Sequence, residues 1–389
     1  MTAEVIEHIP DWVTFPEDDW LEITPEEAGI DPVGLHGFLD SLDVRGAFFG
    51  GESHPDGNFG AMLARGGYLF HAWGNRHYRF QTASVGKSFT WALIGLAVSE
   101  GLIKPDEPIN KTWTGEGQLS HPHKYLTAGH HRNLTWRHLI GPKEKSEHYG
   151  GFPMELGLRW RDKQSGMEAP VNSVPDWAKW TGDPFYDLYS HAEPGTVGHY
   201  SSAGFWRLGQ ALTAVWDTDL KTVLDEKVFS KIGIPPHRWD WLTGEYVKDH
   251  EFLYPSLPNS YTYLDPPYEI HGHPVRSGPG WVVISASDLA RYGHLNATRG
   301  IWKGEQVIDP QWLRGHSGGN KSGQCGESTF FTAMGAVTTE GLNNPSGDRW
   351  PFATATNSFV PEDLFVGPVR YSLPPIKSRP HTNHPEVHT

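Results

Sequence analysis

Apolar positions along the chain fall first into helical and then into strand spacing. Pro25-Glu26-Glu27-Ala28 followed by Leu35, Phe38, Leu39 and Leu42 predicts a helix, with Thr24 as its N-cap and acidic residues in the first turn. Ala61 to Arg65, then Gly66-Gly67, then Tyr68 to Trp73 predicts two short strands joined by a glycine turn. Residues 84 to 103 put Phe89, Leu93, Leu96 and Ala97 on one stripe, with Ile94 and Val98 beside it, which predicts a largely buried helix capped at Gly101. From Pro105 to Ile270 prolines, histidines and aromatics dominate, and one long helix is expected over Ser202 to Phe229. The pattern recovers after His271, with Gly280 to Ser285 as a strand, Ser287 to Leu295 as a helix and Phe330 to Thr339 as another strand. Residues 1 to 23 show no period and read as an arm lying on the surface.

Composition narrows the class. The chain has 389 residues, room for one large composite domain or two ordinary ones. Hydrophobic residues make up 37%, which supports a globular core, while 44 glycines and 31 prolines call for long ordered loops. The net charge of −14 repels phosphate backbones and anionic lipid surfaces, so nucleic acid and membrane are not expected partners. A single cysteine, Cys325, leaves no internal disulfide and no cysteine cluster for zinc. Without a basic start and apolar h-region, or an apolar run of membrane-spanning length, a cytoplasmic location is expected.

Candidate chemistry starts at Ser84-Val85-Gly86-Lys87, where the predicted hairpin gives way to the buried helix. Residues three apart on a helix face the same way, so the Lys87 amine can reach the Ser84 hydroxyl, and first-turn N–H groups lie near any oxyanion formed there. A serine hydroxyl is a poor nucleophile until a base takes its proton, and a lysine serves only if its surroundings lower its pKa. Alone the four letters are weak, since about one such match is expected by chance in a chain of this length. Taken alone, they are better explained by a capping serine beside a solvated lysine. Two further blocks change the weighting. Glu193-Pro194-Gly195 precedes His199-Tyr200-Ser201-Ser202-Ala203-Gly204, and Ser277-Gly278-Pro279-Gly280-Trp281 runs into Val282 to Gly293.

These ordered blocks resemble the serine β-lactamase and penicillin-binding-protein-like hydrolases, in their class C β-lactamase and esterase branch, from about Thr24 to Trp312. The resemblance implies an α/β fold: a mainly antiparallel sheet flanked by helices, with an inserted helical, loop-rich lobe. It assigns residues 24–105 and 271–367 to the α/β domain, 106–270 to the lobe, 1–23 to the arm and 368–389 to an atypical tail. It implies Ser84 as the acylated nucleophile, Lys87 as its hydrogen-bonded partner and Tyr200 as the phenol exchanging protons with nucleophile and leaving group. Either Lys87 or Tyr200 fits the role of base. Ser202 stands where the family commonly has asparagine and would contact the acyl group. A hydroxyl there lacks an amide's paired donor and acceptor, which disfavours β-lactams.

The family's third motif has two candidates, Lys321-Ser322-Gly323 and the segment ending at Gly367, and the sequence leaves open whether the last sheet strand is complete. Competing patterns fail on context. Gly315-His316-Ser317-Gly318-Gly319 has nucleophile-elbow letters without a preceding strand, and Gly86-Lys87-Ser88 lacks the glycine a phosphate loop needs at Gln81. The pairs His121/His123, His130/His131 and His271/His273 do not form a helical metal pair, and Glu17, Asp18 and Asp19 read as solvated acids rather than a glycosidase pair. The expectation is a serine hydrolase acting on a small-molecule ester, with an amide or β-lactam second, and with no metal or organic cofactor. A non-catalytic binding protein on the same scaffold is the rival.

Overall fold

The computed structural model of the chain describes residues 9, 11–41, 60–113, 132–140, 202–250, 267–309, 312, 329–331, 336–338 and 352–356. The first elements are β1 (Leu21–Glu22) and α1 (Pro32–Ser41). Thr24 does cap a turn, in a reciprocal box: the Glu27 N–H donates to Thr24 Oγ1 at 3.2 Å, and the Thr24 N–H donates to Glu27 Oε2 at 2.8 Å. Gly29, at φ 73, ends that turn. The helix starts only after Asp31, whose carboxylate accepts from the Val33 and Gly34 N–H groups. The helix expected over 25–42 is therefore a capped turn and a separate shorter helix, because a left-handed glycine separates two capping sites.

β2 (Gly60–Arg65) and β3 (Tyr68–Gly74) form the predicted hairpin. Its two turn glycines have φ 58 and 86, the left-handed pair that a two-residue type I′ turn requires. After β4 (Arg79–Gln81) comes a 3-10 turn, Ala83–Gly86, and then α2 (Lys87–Ser99). α2 is buried from Lys87 to Ala97, and Gly101, at φ 74, follows its end as the spacing predicts. Burying side chains such as Phe89, Leu93 and Ile94 contributes about 2 kcal/mol each, so packing holds this helix more than propensity does.

The next stretch contributes α3 (Trp136–Ile140), α4 (Ser202–Trp216), α5 (Leu220–Leu224), β5 (Asp240–Trp241), α6 (Gly244–His250), β6 (Glu269–Ile270) and β7 (His273–Pro274). The single helix expected over 202–229 is α4, α5 and a π-helical turn at Asp225–Phe229. Asp217, at φ 48, breaks it, and Asp219 caps α5 by accepting from the Lys221 N–H at 2.9 Å. Leu212, Leu220, Val223 and Val228 are all buried, so the apolar period runs through the break and conceals it.

The chain returns through β8 (Val282–Ser285), α7 (Ala286–Ala297), β9 (Ile301–Trp302), β10 (Glu305–Gln306), β11 (Thr329–Phe331), β12 (Ala336–Thr338) and β13 (Phe352–Thr356). The strand expected over 330–339 is two antiparallel strands, β11 and β12, pairing Phe330 with Val337. The main sheet has the order β1-β3-β2-β13-β12-β11, antiparallel except for β1 on β3. α7 lies across β2, β12 and β13. A second antiparallel sheet, β4-β8-β5, carries the approach to α2. The mainly antiparallel sheet that the resemblance implies is present, with α7 packed across it. Arg291 of α7 ties the N-terminal segment down by donating to the carbonyls of Pro16, Glu17 and Asp18.

Candidate active site

Ser84 sits in the 3-10 turn at the end of β4, and Lys87 is the first residue of α2. Gly86 between them is right-handed helical (φ −55, ψ −18), so turn and helix run on without a break. Both the N–H and the hydroxyl of Thr82 donate to the Val282 carbonyl, at 2.8 and 3.0 Å, which fixes the start of the turn on β8. Lys87 is 7% exposed, a rare environment for an ammonium. Its Nζ donates to the Pro279 carbonyl at 2.9 Å and lies 5.7 Å from the centre of the Phe205 ring. Phe205 belongs to the first turn of α4, so the segment opening with Ser202 arrives beside this lysine.

The acceptor belongs to the loop Ser277–Trp281, which runs between α2 and α4. Thr90 Oγ1 of α2 donates to Gly278 O at 2.7 Å, and the Trp241 indole N–H is shared between Ser277 O and Gly280 O, at 2.8 and 2.9 Å. Main-chain bonds add to this: Ser277 N–H to Leu242 O at 2.9 Å and Leu242 N–H to Trp281 O at 3.1 Å. Two glycines make the approach possible. A Cβ on Gly86 would stand 2.6 Å from Gly280 Cα, and one on Gly278 would stand 2.1 Å from the Phe205 carbonyl oxygen. Three backbones thus meet at van der Waals distance around Lys87. The outer strand β11 lies alongside the Ala83–Gly86 turn.

A Beta-lactamase family model matches residues 61–343, well over half of the chain. The chain belongs to the β-lactamase family. Members of this family are serine hydrolases, and the chain is a β-lactamase-family serine hydrolase in that coarse sense. Among solved structures it is similar to a Bacillus anthracis protein titled as a 6-aminohexanoate-dimer hydrolase, at 15% identity and TM-score 0.50, covering 91% of this chain and 85% of that one. It is also similar to a penicillin-binding protein homologue from Caulobacter crescentus, at 13% identity and TM-score 0.48, covering 87% and 94%. A search of curated proteins finds no match. At such identities the first likeness speaks for the fold alone.

Within this β-lactamase-family frame the structure places the Ser84 turn and Lys87 together, and brings the first turn of α4 to them. The Ser84 and Ser202 side chains and the whole of Tyr200 lie outside the described residues, as do Lys321-Ser322-Gly323 and Gly367. Besides β8, the strand β11 lies against the Ser84 turn, downstream of the first third-motif candidate and upstream of the second. Sequence reasoning listed Ser277 to Trp281 as a recognition block only, and it missed Pro279 and Trp241. Carbonyl direction has no sequence signal, and a lone tryptophan among 17 has none either. A separate polar cavity of about 340 Å³, lined by Asp18, Asp19, His77, Arg79, His237, Arg238, Ser285 and Asp288, contains none of the predicted site residues. Among the described residues no three His, Cys, Asp or Glu side chains cluster to hold a metal, and no helix is long and apolar enough to cross a membrane.

Proposed function

We propose that the chain hydrolyses small-molecule esters through an acyl-enzyme on Ser84. The observation that supports this most is the buried Lys87, one helical turn from Ser84 and fixed on the Pro279 carbonyl in a β-lactamase-family chain. Lys87, with the Tyr200 phenol that the family pattern brings to the same site, draws the proton from Ser84 Oγ as the oxygen attacks the ester carbonyl. The tetrahedral oxyanion collapses, the C–O bond to the alcohol breaks, and the alkoxide takes the proton. Water then attacks the acyl-enzyme under the same base, releasing the acid and restoring Ser84. Main-chain N–H groups of the first turn are the donors available to the oxyanion.

Ser202 at the mouth of α4 offers one hydroxyl where a β-lactamase amide would hold the substrate's acyl-amide group, which favours an ester over a β-lactam. The test is turnover of p-nitrophenyl acetate and butyrate alongside nitrocefin. Wild type is expected to hydrolyse the esters at least tenfold faster than the β-lactam. Ser84→Ala and Lys87→Ala are each expected to lose at least 100-fold in ester kcat/KM while keeping the wild-type melting curve. Ester turnover that survives Ser84→Ala would falsify the nucleophile.

A further inference from the structure

We propose that Trp241 is a positioning residue for Lys87, acting through the Ser277–Trp281 loop; this rests on the reading of Ser84 and Lys87 as the acyl-transfer pair. Four successive carbonyls of the loop each accept from a side chain: Ser277 O from Trp241, Gly278 O from Thr90, Pro279 O from Lys87 and Gly280 O again from Trp241. The carbonyl that receives the lysine therefore sits between two that the indole holds. The Pro279 carbonyl shares a peptide plane with the N–H of its neighbour, which donates to Ser277 O at 3.0 Å, so its direction follows from how Ser277 and that neighbour are held. On the carboxyl side that neighbour is Gly280, and the side-chain donor to its carbonyl is the Trp241 N–H.

Trp241 is suited to this because it cannot move independently. It is fully buried, its strand β5 pairs with Val282 of β8, and its own carbonyl accepts from Arg276 Nη1. Arg276 is in turn gripped by both carboxylate oxygens of Asp219, at 2.8 and 2.6 Å, so the brace extends to the cap of α5. Facing it, Thr90 lies one turn beyond Lys87 on α2 and pins Gly278. The loop is held from the lobe side by an indole and from the α2 side by a hydroxyl, with the lysine amine between them. If Trp241 loses its N–H, the Ser277 and Gly280 carbonyls on either side of Pro279 lose that donor, the peptide carrying the Pro279 carbonyl is held less tightly, and Lys87 Nζ shifts relative to Ser84. Misplacement of a catalytic group by about 1 Å can cost about 100-fold in rate without changing substrate affinity.

The experiment compares wild type with Trp241→Phe, which keeps an aromatic ring and removes the donor, and with Trp239→Phe as control. Trp239 is also buried and donates its indole N–H to Asp225, away from the loop. The readouts are the rate of labelling by a fluorophosphonate, kcat and KM for p-nitrophenyl acetate, and the melting temperature. Trp241→Phe is expected to lower the labelling rate and kcat by tenfold to 100-fold with KM within about twofold. Trp239→Phe is expected to lose comparable thermal stability with kcat unchanged. Should Trp241→Phe not fold, Thr90→Val removes the opposing brace at constant volume and is expected to give the same loss in kcat alone. Wild type that takes no label overturns the Ser84 reading and this inference with it. A labelled wild type with Trp241→Phe labelling equally fast, or with kcat falling equally in Trp239→Phe, overturns the positioning role while leaving Ser84 in place.

Discussion

Lys87 and His294 show two ways of burying a basic side chain. Lys87 keeps a carbonyl and an aromatic face as partners. His294 lies among the rings of Phe15, Trp20 and Trp302, with Nε2 against the Thr14 carbonyl and no partner for Nδ1 among the described residues, and burial pulls its pKa from the ordinary 6.5 down to about 4. Between those two pH values the unfolded chain holds a proton here that the folded chain does not. Stability contributed by the neutral ring is complete above about 6.5 and is lost as pH falls towards 4, by up to about 3 kcal/mol. Thermal melts from pH 7 to pH 4 should show this decline, and His294→Phe should flatten it; an equally steep decline in the variant contradicts the assignment. Spacing and context mark Ser84 and Lys87 as candidates in the sequence. His294 carries no such mark, because its environment is assembled from the arm, α7 and β9, which lie far apart in the sequence.

Element ends that coincide with a break in the apolar pattern were legible, and those that the pattern runs through were not. The Gly66-Gly67 turn and the Gly101 cap follow from backbone preference alone, and both stand where the pattern put them. The break after α4 is local, at Asp217 and the capping Asp219, but the apolar pattern runs through it, and the division of β11 from β12 shows only in their antiparallel pairing. Glycines make the contrast testable. Gly101 needs its left-handed φ but has open space around it, so Gly101→Ala should cost about 1 kcal/mol and leave ester turnover intact. Gly86 has an ordinary helical φ, yet a Cβ there would stand 2.6 Å from Gly280 Cα. Gly86→Ala should cost about 1–3 kcal/mol and also lower kcat at least tenfold, because it pushes the Ser84 turn off the loop that holds Lys87. Melting curves and ester kinetics on the two variants check this, and equal effects on kcat contradict it.

Across the whole molecule, the sheet closes by bringing the far end of the described chain next to its beginning: β13 pairs with β2 on one side and with β12 on the other. The last strand that the sequence leaves open would follow Gly367, outside the described residues, while β13 (Phe352–Thr356) is a short run whose identity as a strand depends on its two neighbours. That same closure sets β11 at the sheet edge beside the Ser84 turn, while β4 and β8 carry the turn from the other sheet. The most direct test is to label wild type with a fluorophosphonate, digest with trypsin and map the adduct. The account predicts one adduct, on Ser84 within the peptide Phe80–Lys87. An adduct confined to any other serine, or the absence of one in protein that hydrolyses esters, contradicts it.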